Sequence, residues 1–531
     1  MARRRENWGT KVGVILAVAG SAVGLGNFLR FPGRAALYGG GAFMIPYFIS
    51  LLVLGIPICW VEWTLGRHGG RYGFNSAPGL FSVVWRSGVS RFFGALAVFI
   101  PVVIYMYYVF IEAWCLSYAW DYLSGNVAPG PDPHAYQQYF SARFNAFIGV
   151  EADGALFTGF SGALVALVIC FCLNFLLIAR GLTRGIEAFC KYAMPALIIA
   201  AIIVLGRVLT LGTPNPSLPD QNVVNGLGFM WNPKPVGDGS SAFSALADPK
   251  VWLEAAGQIF FTLSVGFGII MTYASYLRKD DDVALSALTA SSVNEFCEVC
   301  LGGLITIPAA FIFLGAAPLA AVAGSSIGLG FHAVPVVFEY LPLGDFFGFI
   351  WFGLLFLAAI TSSISMLQPA LAFLEEGLEL TRAAAMTLLA VVTGAGSLLV
   401  VYFTKNTVAL DVMDFWVGSA MLIVLALFEV ILFGWVLGAR NGVAEANRGS
   451  DIQIPSLFIP IIRYLCPAYL LAILGAFAYQ NLGTQVRSIV NEPAAMVTAL
   501  FLLAVLVLMF FLVRLAGARW DREHRFDQLP G

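Results

Sequence analysis

The chain has 531 residues, of which 59% are hydrophobic and 11% are charged, and its formal net charge is −2. Soluble domains average about 25% charged residues, so this chain lacks the polar side chains that a soluble fold needs on its surface. Its mean hydropathy of +0.84 excludes an ordinary cytosolic enzyme and a disordered protein. The near-neutral charge offers no basic field to nucleic acid. The composition therefore indicates a multi-spanning membrane protein in a lipid bilayer.

The hydropathy pattern predicts twelve membrane helices, because one span needs about 20 apolar residues. The expected spans are 11–37, 41–68, 91–124, 157–180, 188–211, 244–276, 284–314, 343–375, 382–403, 408–438, 457–480 and 493–517. A weaker apolar stretch at 319–337 is interrupted by glycines and Pro335, which predicts a short helical hairpin in an external loop. Long external loops are expected at about 125–156 and 212–243.

The placement of Lys and Arg predicts the topology. With the N-terminus inside, most of these residues fall on one side of the membrane, as the positive-inside rule requires. We therefore expect a multi-pass protein of the inner (plasma) membrane with both termini cytoplasmic. The apolar stretch from about Val12 to Phe31 is a first membrane helix and not a cleavable signal.

Eight cysteines do not indicate a disulfide scaffold, because they lie in or beside apolar runs. Cys297 and Cys300 form a C-x-x-C motif, which can indicate redox chemistry or zinc binding. The motif lies inside a predicted span with no second Cys pair or His nearby. This position favours the interpretation that both cysteines are simply small apolar side chains buried in the protein.

Two predicted spans contain helix-breaking residues at mid-depth. The first is Ala19–Pro32, with three glycines and Asn27, and the second is Gly257–Gly268, with glycines and hydroxyls. Glycines alone are typical of close helix packing, but Asn27 and Arg30 at this depth favour unwound backbone. The two spans are the first members of successive five-helix sets. Paired interruptions of this kind point to a transporter of inverted repeats with its site at the breaks.

Further polar groups lie at membrane depth in other spans. Thr361 and Ser362 are adjacent, and such hydroxyls often only bond back to the preceding helical turn. Asn294, Glu295 and Glu298 lie in the seventh span. A carboxylate at that depth is costly, which makes it a candidate for function.

These motifs together resemble the neurotransmitter:sodium symporter family, and specifically its bacterial leucine-transporter-like amino-acid members, over nearly the whole chain. The stretches that carry the resemblance are Trp8–Pro32, Gly39–Phe43, Gln258–Tyr276, Thr361–Ser363 and Met413–Trp416. The resemblance implies an all-α integral membrane fold of the leucine-transporter type. It has two inverted five-helix repeats, unwound helices 1 and 6, and two peripheral C-terminal helices.

The same resemblance implies a division of the chain and an activity. Residues 1–242 form the first repeat (helices 1–5) with its extracellular loops, 243–438 the second repeat (helices 6–10), and 439–531 helices 11 and 12 with a cytoplasmic tail. The activity is sodium-coupled import of a small-to-medium apolar L-amino acid by alternating access. The resemblance leaves open whether two copies of the chain form a homodimer.

Residue roles also follow from the resemblance, and two sodium sites are expected, since a hard cation prefers oxygen ligands. Sodium site one has Ala22, Asn27, Thr262 and Asn294. Sodium site two has Gly20, Val23, Ala358, Thr361 and Ser362. The substrate-binding residues are Ser21, Ala22, Leu25, Gly26, Ile104, Tyr108, Phe261, Thr262, Ser264, Phe267, Ser362 and Met366. The outer gate has Arg30, Asp414, Tyr108 and Phe261. The inner gate has Arg5, Glu376, Trp8, Ser275 and Tyr276, although Arg5 also fits ordinary positive-inside charge.

Two positions narrow the expected activity. Amine-transporting members of the family have Asp where this chain has Gly24, so the substrate should bring its own carboxylate, as an amino acid does. Chloride-dependent members have Ser where this chain has Glu298. We therefore expect chloride-independent transport, with Glu298 as the chloride substitute or a proton site.

Some positions depart from the family pattern. Ser21 replaces Asn, Met366 replaces a branched aliphatic residue, Ile104 replaces Val, and Glu376 replaces Asp. The fuller pocket favours substrates from alanine to leucine, although one methylene discriminates by only about 1–3 kcal/mol. The longer side chain of Glu376 is expected to alter the geometry of the inner gate.

Other classes of function fit less well. A non-transporting amino-acid sensor of the same fold is the alternative, but the ion-site residues are all present and the tail after Leu515 is short. The four histidines are scattered and form no hydrolase or metalloprotease motif. We therefore expect a protein that is not an enzyme.

Overall fold

The computed structural model describes residues 7–158, 162–235, 241–316, 319 and 322–527. Within these residues the chain is helical, and one isolated backbone bridge joins Gly40 to Pro233. Helices are numbered in chain order as α1 (Lys11–Ala22), α2 (Gly26–Leu37), α3 (Gly41–Gly70), α4 (Ala77–Val84), α5 (Gly88–Ser124), α6 (Tyr136–Ile148), α7 (Gly162–Ala179), α8 (Leu182–Leu209), α9 (Val223–Trp231), α10 (Pro249–Leu263), α11 (Ile269–Ala274), α12 (Ala284–Leu314), α13 (Gly328–Glu339), α14 (Gly344–Gly377), α15 (Arg382–Tyr402), α16 (Lys405–Ala446), α17 (Phe458–Asn491) and α18 (Pro493–Arg522).

The described residues contain ten helices that are long and apolar enough to cross a membrane. They correspond to ten of the predicted spans. The predicted span 11–37 is the pair α1–α2, which is bent by 49°. The predicted span 244–276 is divided into α10 and α11, and neither half is long enough to cross a membrane alone. In the predicted hairpin at 319–337 the structure describes α13, while residues 320 and 321 lie outside the described part.

Burial orders the helices from the centre of the bundle to its edge. In the most apolar 18-residue window of α5, 94% of the residues are buried, against 28% in α17 and in α18. The long helix α14 packs along α5. The two last helices therefore lie at the periphery, and α5 with α14 forms the central wall on which the broken helices lie.

The first break separates α1 from α2. Val23 has extended backbone angles (φ −71°, ψ 97°) that end α1. The Gly24 N–H group then donates to the Asn27 side-chain oxygen at 2.8 Å. This bond gives one amide of the broken helix a partner, which a buried backbone group requires.

The second break separates α10 from α11. Ser264 (φ +54°), Gly266 (φ +77°) and Gly268 (φ +72°) have left-handed backbone, a conformation that glycine adopts without a steric penalty. A Cβ atom on Gly268 would lie 2.6 Å from the Ala97 carbonyl oxygen of α5. The glycines therefore supply both the sharp turn and the close approach to the central wall.

Helix α12 packs directly against the backbone that follows the first break. A Cβ atom on Gly302 would lie 2.0 Å from the Asn27 carbonyl oxygen, so the backbones of α12 and α2 touch at this point. Thr306 on the same helix donates to the Phe28 carbonyl at 2.8 Å. The position of the break therefore depends on the absence of a side chain at Gly302.

We expect Gly302→Ala to destabilise the protein by about 1–3 kcal/mol, because the new methyl group must displace the backbone at Asn27. The measurement is the melting temperature of the purified protein in detergent. The matched control is Gly353→Ala on α14, where a Cβ atom meets nothing within 4 Å, and alanine should be neutral or slightly stabilising. Equal melting temperatures for the two variants would contradict this packing.

Candidate functional site

The two helix breaks face each other across a small cavity in the middle of the bundle. Its volume is about 20 Å³, room for about one water molecule. The cavity is lined by Ser21, Ala22, Gly24, Gly26, Asn27, Ile104, Tyr108, Phe261, Thr262, Ser264, Phe267, Ser362 and Met366. Eleven of the twelve predicted substrate-binding residues line it, and Leu25 does not. Side chains must therefore move apart before anything larger than a water molecule can enter.

One end of the cavity presents hydrogen-bond donors. The Leu25 N–H group donates to the Tyr108 hydroxyl at 3.3 Å, so this residue reaches the site through its backbone. A Cβ atom on Gly24 would lie 2.9 Å from the Tyr108 hydroxyl and 3.1 Å from the Ser362 hydroxyl. The break thus brings the Leu25 amide and the Tyr108 phenol together. A side chain at residue 24 would occupy the space next to them.

Acceptors and apolar groups form the rest of the wall. The Ser21 carbonyl accepts hydrogen bonds from the hydroxyls of Ser264 and Ser362, both at 3.1 Å. Ile104 on α5 and Met366 on α14 are buried and supply the apolar side. The cavity therefore has a polar side, made by the breaks, and an apolar side, made by the central wall.

Three of the side chains predicted for sodium site one contact one another. The Asn27 side-chain amide donates to the Asn294 side-chain oxygen at 2.9 Å and to the Thr262 hydroxyl at 3.2 Å. The Asn294 amide also donates to the Thr262 hydroxyl at 2.9 Å. All three residues are at most 1% exposed. Their amide and hydroxyl oxygens are the donor class that a hard monovalent cation takes.

A carboxylate lies directly behind this cluster. Glu298 is fully buried and accepts from the Gln258 side-chain amide at 2.6 Å and, through its other oxygen, from the Thr262 hydroxyl. Tyr47 on α3 adjoins it and donates to Glu295 at 2.7 Å. Sequence analysis did not assign roles to Gln258 or Tyr47, although a Gln at membrane depth in the second broken span was an available signal.

The residues predicted for sodium site two lie where α1 meets α14. The Ser362 hydroxyl is 3.5 Å from the Gly20 carbonyl and 3.1 Å from that of Ala358. The Thr361 hydroxyl donates within its own helix, to the carbonyls of Leu357 and Ala358. Ser362 thus bridges the two helices, while Thr361 shows the local back-bonding that the sequence left open. The hydroxyls and carbonyls of this group suit sodium by their chemistry.

A wide vestibule of about 680 Å³ lies above the small cavity. Phe261 lines both spaces and separates them. The guanidinium group of Arg30 stacks over its ring, 4.7 Å from the centroid. The vestibule is on the side that the sequence places outside the cell.

Arg30 and Asp414, the oppositely charged residues of the predicted outer gate, form no ion pair in the described part of the chain. Asp414 instead accepts a hydrogen bond from the Tyr107 hydroxyl at 2.8 Å, and Arg30 stacks on Phe261. Both charged residues line the vestibule, so the open space between them separates the two groups. Sequence analysis missed the role of Tyr107, which neighbours the predicted Tyr108.

The opposite end of the bundle is closed by packing. Trp8 is buried and its indole N–H donates to the Tyr273 carbonyl at 2.9 Å. Tyr276 accepts from the Gln368 amide at 3.3 Å. Of the remaining predicted inner-gate residues, Ser275 bonds to the neighbouring helical turn. Arg5, the one basic residue of the predicted inner gate, lies outside the described residues.

Glu376 is held by the segment before α4. Its carboxylate accepts from the Ser76 N–H group at 3.0 Å, from the Ser76 hydroxyl at 3.1 Å and from the Asn75 N–H group. The Asn75 side chain in turn accepts from the Ser275 hydroxyl at 3.2 Å. Glu376 therefore ties α14 to this segment and, through it, to the end of α11.

An ion pair fixes the start of α1 on the same side. Lys11 lies 3.3 Å from Asp282, which is 4% exposed. Burial alone would raise the pKa of Asp282, but hydrogen bonds from the N–H groups of Asp451 and Leu285 and the charge of Lys11 bring it below its usual value. The ionised carboxylate therefore connects α1 with the loops before α12 and after α16.

A bundle of apolar helices with two breaks around a polar cavity, open on one side and closed on the other, defines a secondary transporter. A model of the Sodium:neurotransmitter symporter family matches residues 5–138 and 137–519. An uncharacterised sodium-dependent transporter of Methanocaldococcus jannaschii is 31% identical over 468 residues, which cover 85% of this chain and 86% of the relative. The chain therefore belongs to the sodium:neurotransmitter symporter family and is a sodium-dependent membrane transporter.

Two further proteins that this chain matches have names that state a ligand or an ion dependence. The crystal structure of MhsT in complex with L-phenylalanine matches with a TM-score of 0.74 and 28% identity, covering 89% of this chain and 100% of that one. The sodium- and chloride-dependent transporter XTRP3 of Rattus norvegicus is 32% identical over 56% of this chain and 46% of its own length. The fold is thus that of a transporter solved with an amino acid.

We expect Asp282→Asn to lower the stability at neutral pH by about 1.5–3 kcal/mol, because charge-assisted hydrogen bonds are lost. Since the pKa of Asp282 is lowered by folding, its contribution is complete above the unfolded value of about 3.9 and is lost as the pH falls through the folded value. Melting temperatures of wild type and variant should therefore converge as the pH is lowered from about 7 toward about 3.

Asp280→Asn is the control, because Asp280 is exposed and its nearest cation nitrogen lies 3.9 Å away. This variant should melt as wild type does. A difference between wild type and Asp282→Asn that stays constant with pH would contradict the role of the ionised carboxylate.

Proposed function

We propose that this protein imports a small-to-medium apolar L-amino acid together with sodium by alternating access. The observation that carries the proposal is the cavity between the two helix breaks, where the Leu25 amide and the Tyr108 hydroxyl meet just before α2 and the Ser21 carbonyl lies near the end of α1. An amino acid carries a carboxylate and an ammonium group in the matching arrangement. Half-helix ends at mid-membrane receive such groups in transporters of this architecture.

The proposed topology has twelve spans, of which the pairs α1–α2 and α10–α11 are each one broken span. Residues 1–242 and 243–438 are then the two inverted repeats, and 439–531 carries the last two helices. Both termini face the cytoplasm of a cell whose inner membrane holds the protein. The peripheral position of α17 and α18 supports this division.

The substrate class follows from Gly24. Glycine supplies no carboxylate at this position, and a Cβ atom here would crowd the Tyr108 and Ser362 hydroxyls. A substrate must therefore supply the anionic group itself, which favours an amino acid over a monoamine. Ile104 and Met366 reduce the apolar side of the pocket, and this favours alanine to leucine over larger side chains.

Two sodium ions are proposed as co-substrates. Site one uses the contacting side chains of Asn27, Thr262 and Asn294, together with the Ala22 carbonyl. The substrate carboxylate would lie beside it, so that binding of one favours binding of the other. Site two uses the α1–α14 junction around Ser362, where an ion would hold the broken helix against the central wall.

Glu298 is proposed to replace chloride. Its two oxygens accept hydrogen bonds from Gln258 and Thr262, so its negative charge adjoins sodium site one through the Thr262 hydroxyl. A fixed carboxylate that is separated from the sodium ion only by the Thr262 hydroxyl offsets the charge of the ion without a bound anion. Transfer of a proton to Glu298 would remove that charge on the return step.

The function predicts that protein reconstituted in liposomes accumulates labelled alanine or leucine when sodium is higher outside than inside. Collapse of the sodium gradient should abolish the accumulation. Asn294→Ala removes an oxygen of site one and should raise the sodium concentration needed for half-maximal uptake by tenfold or more. Uptake that persists after the gradient is dissipated would contradict symport, and sodium-dependent binding without any uptake would indicate a sensor.

Replacing external chloride by gluconate should leave wild-type uptake unchanged, because Glu298 supplies the negative charge. In Glu298→Ser the charge is lost, and uptake should become dependent on chloride. The measurement is the initial uptake rate in chloride and in gluconate for both proteins. The role of Glu298 is wrong if wild type requires chloride, or if the Ser variant transports equally well in both salts.

A further inference from the structure

Two glutamates outside the proposed ion and substrate sites face each other in the interior of the bundle. Glu62 on α3 and Glu429 on α16 both have zero exposed surface, and their carboxyl groups are within hydrogen-bond contact. One oxygen of Glu62 accepts from the Gly266 N–H group in the break between α10 and α11, and the Met271 N–H group is also directed at Glu62.

The pair has no positive partner in the described part of the chain. The other oxygen of Glu62 and both oxygens of Glu429 receive no N–H or O–H group of the protein. Another titratable group near Glu62 is Cys59 on α3, a neutral thiol and not a counter-charge. The helices α4, α5, α10, α11, α12, α17 and α18 also pack against α3 or α16, and within the described residues they bring no charged or titratable side chain to either carboxyl.

Two ionised carboxylates cannot coexist in this environment. Burial of each charge without a counter-charge costs several kcal/mol, and the repulsion of like charges adds to this. One proton shared between them removes one charge and forms a hydrogen bond. Since Glu62 has the backbone donors, Glu62 is the carboxylate, and Glu429 carries the proton and donates it to the free oxygen of Glu62.

The pair also contacts a part of the molecule that must move in a transport cycle. Gly266 lies between the cavity-lining residues Ser264 and Phe267. A Cβ atom on Gly266 would lie 3.0 Å from the Leu422 carbonyl and 3.2 Å from the Ala426 side chain, both on α16. The Gly266 N–H group thus lies between Glu62 of α3 and the backbone of α16, and movement of the break away from α3 and α16 would withdraw this donor from Glu62.

We propose that Glu62 and Glu429 form a proton-binding site whose occupancy changes with the position of the break at residues 264–268. With the Gly266 N–H group on Glu62, the pair holds one proton. When that donor is withdrawn, Glu62 takes up a second proton from water, and it releases that proton when the break returns. The link to transport rests on the proposed sodium-coupled cycle, in which sodium at site one holds Thr262, and with it the break that follows, in the described arrangement and so releases the second proton.

The resident proton is tested by infrared spectroscopy of the purified protein, in which protonated carboxylic acids absorb apart from carboxylates. Glu429→Gln should remove the absorption of one acid group. Glu445→Gln is the control, because Glu445 pairs with Arg67 and Arg71, and it should leave the acid band unchanged. An unchanged acid band in Glu429→Gln would overturn the site itself, whether or not the protein transports.

The coupling is tested with a pH indicator in weakly buffered detergent solution when sodium is added. Glu62→Gln should release about one proton per chain fewer than wild type, because the group that exchanges it is gone. Glu112→Gln is the matched control, since Glu112 is fully buried but keeps the donors Ser363 and Asn174, and it should release as many protons as wild type.

The two tests separate the possible failures. Any proton exchanged by Glu298 is still counted in Glu62→Gln, so only the difference from wild type concerns the pair. Equal release by wild type and Glu62→Gln, or no release in any protein, would overturn the coupling. Sodium binding itself is followed by thermal stabilisation in the same samples, and its absence would count against the proposed function instead.

Discussion

A helix that breaks in the interior of a membrane protein leaves backbone N–H and C=O groups without intrahelical partners in a region with little water. This protein has two such breaks, and much of its polar interior contacts them. The Asn27 side chain accepts from the Gly24 amide, the Tyr108 hydroxyl accepts from Leu25, and Glu62 accepts from Gly266. The groups left over line the small cavity. The site therefore results from the way in which the backbone N–H and C=O groups at the two breaks obtain hydrogen-bond partners.

The same constraint explains the buried carboxyl groups. Glu298 and Glu62 both lie next to a break, and each accepts a hydrogen bond from it or from its neighbour on α10. Glu298 accepts its hydrogen bonds from Gln258 and Thr262 beside the proposed sodium site, and its neighbour Glu295 accepts one from Tyr47. Glu62 instead has beside it the carboxyl group of Glu429, which receives no N–H or O–H group of the described residues. A charge beside bound cations is compensated, and a charge beside another carboxylate is not. In the proposed mechanism the two sites therefore take different ligands, sodium beside Glu298 and a proton at the pair Glu62 and Glu429.

Sequence alone predicted much of this architecture, because hydropathy depends on composition over about 20 residues and the breaks follow from glycines at unusual depth. The family resemblance located the cavity-lining residues. It did not predict that Tyr107 would take Asp414 while Arg30 stacks on Phe261, because the distance across the vestibule depends on how far the bundle is open. The Glu62–Gly266 contact joins residues 204 positions apart, and no local pattern reveals such pairs.

The central claim is that the breaks bind sodium and an amino acid as one coupled unit. Equilibrium binding of labelled alanine or leucine to the purified protein in detergent tests it without a membrane gradient. The claim predicts saturable binding in sodium chloride and an affinity at least about tenfold lower in choline chloride, with the amino acid raising the affinity for sodium by the same factor. Equal amino-acid affinity in the two salts would contradict it.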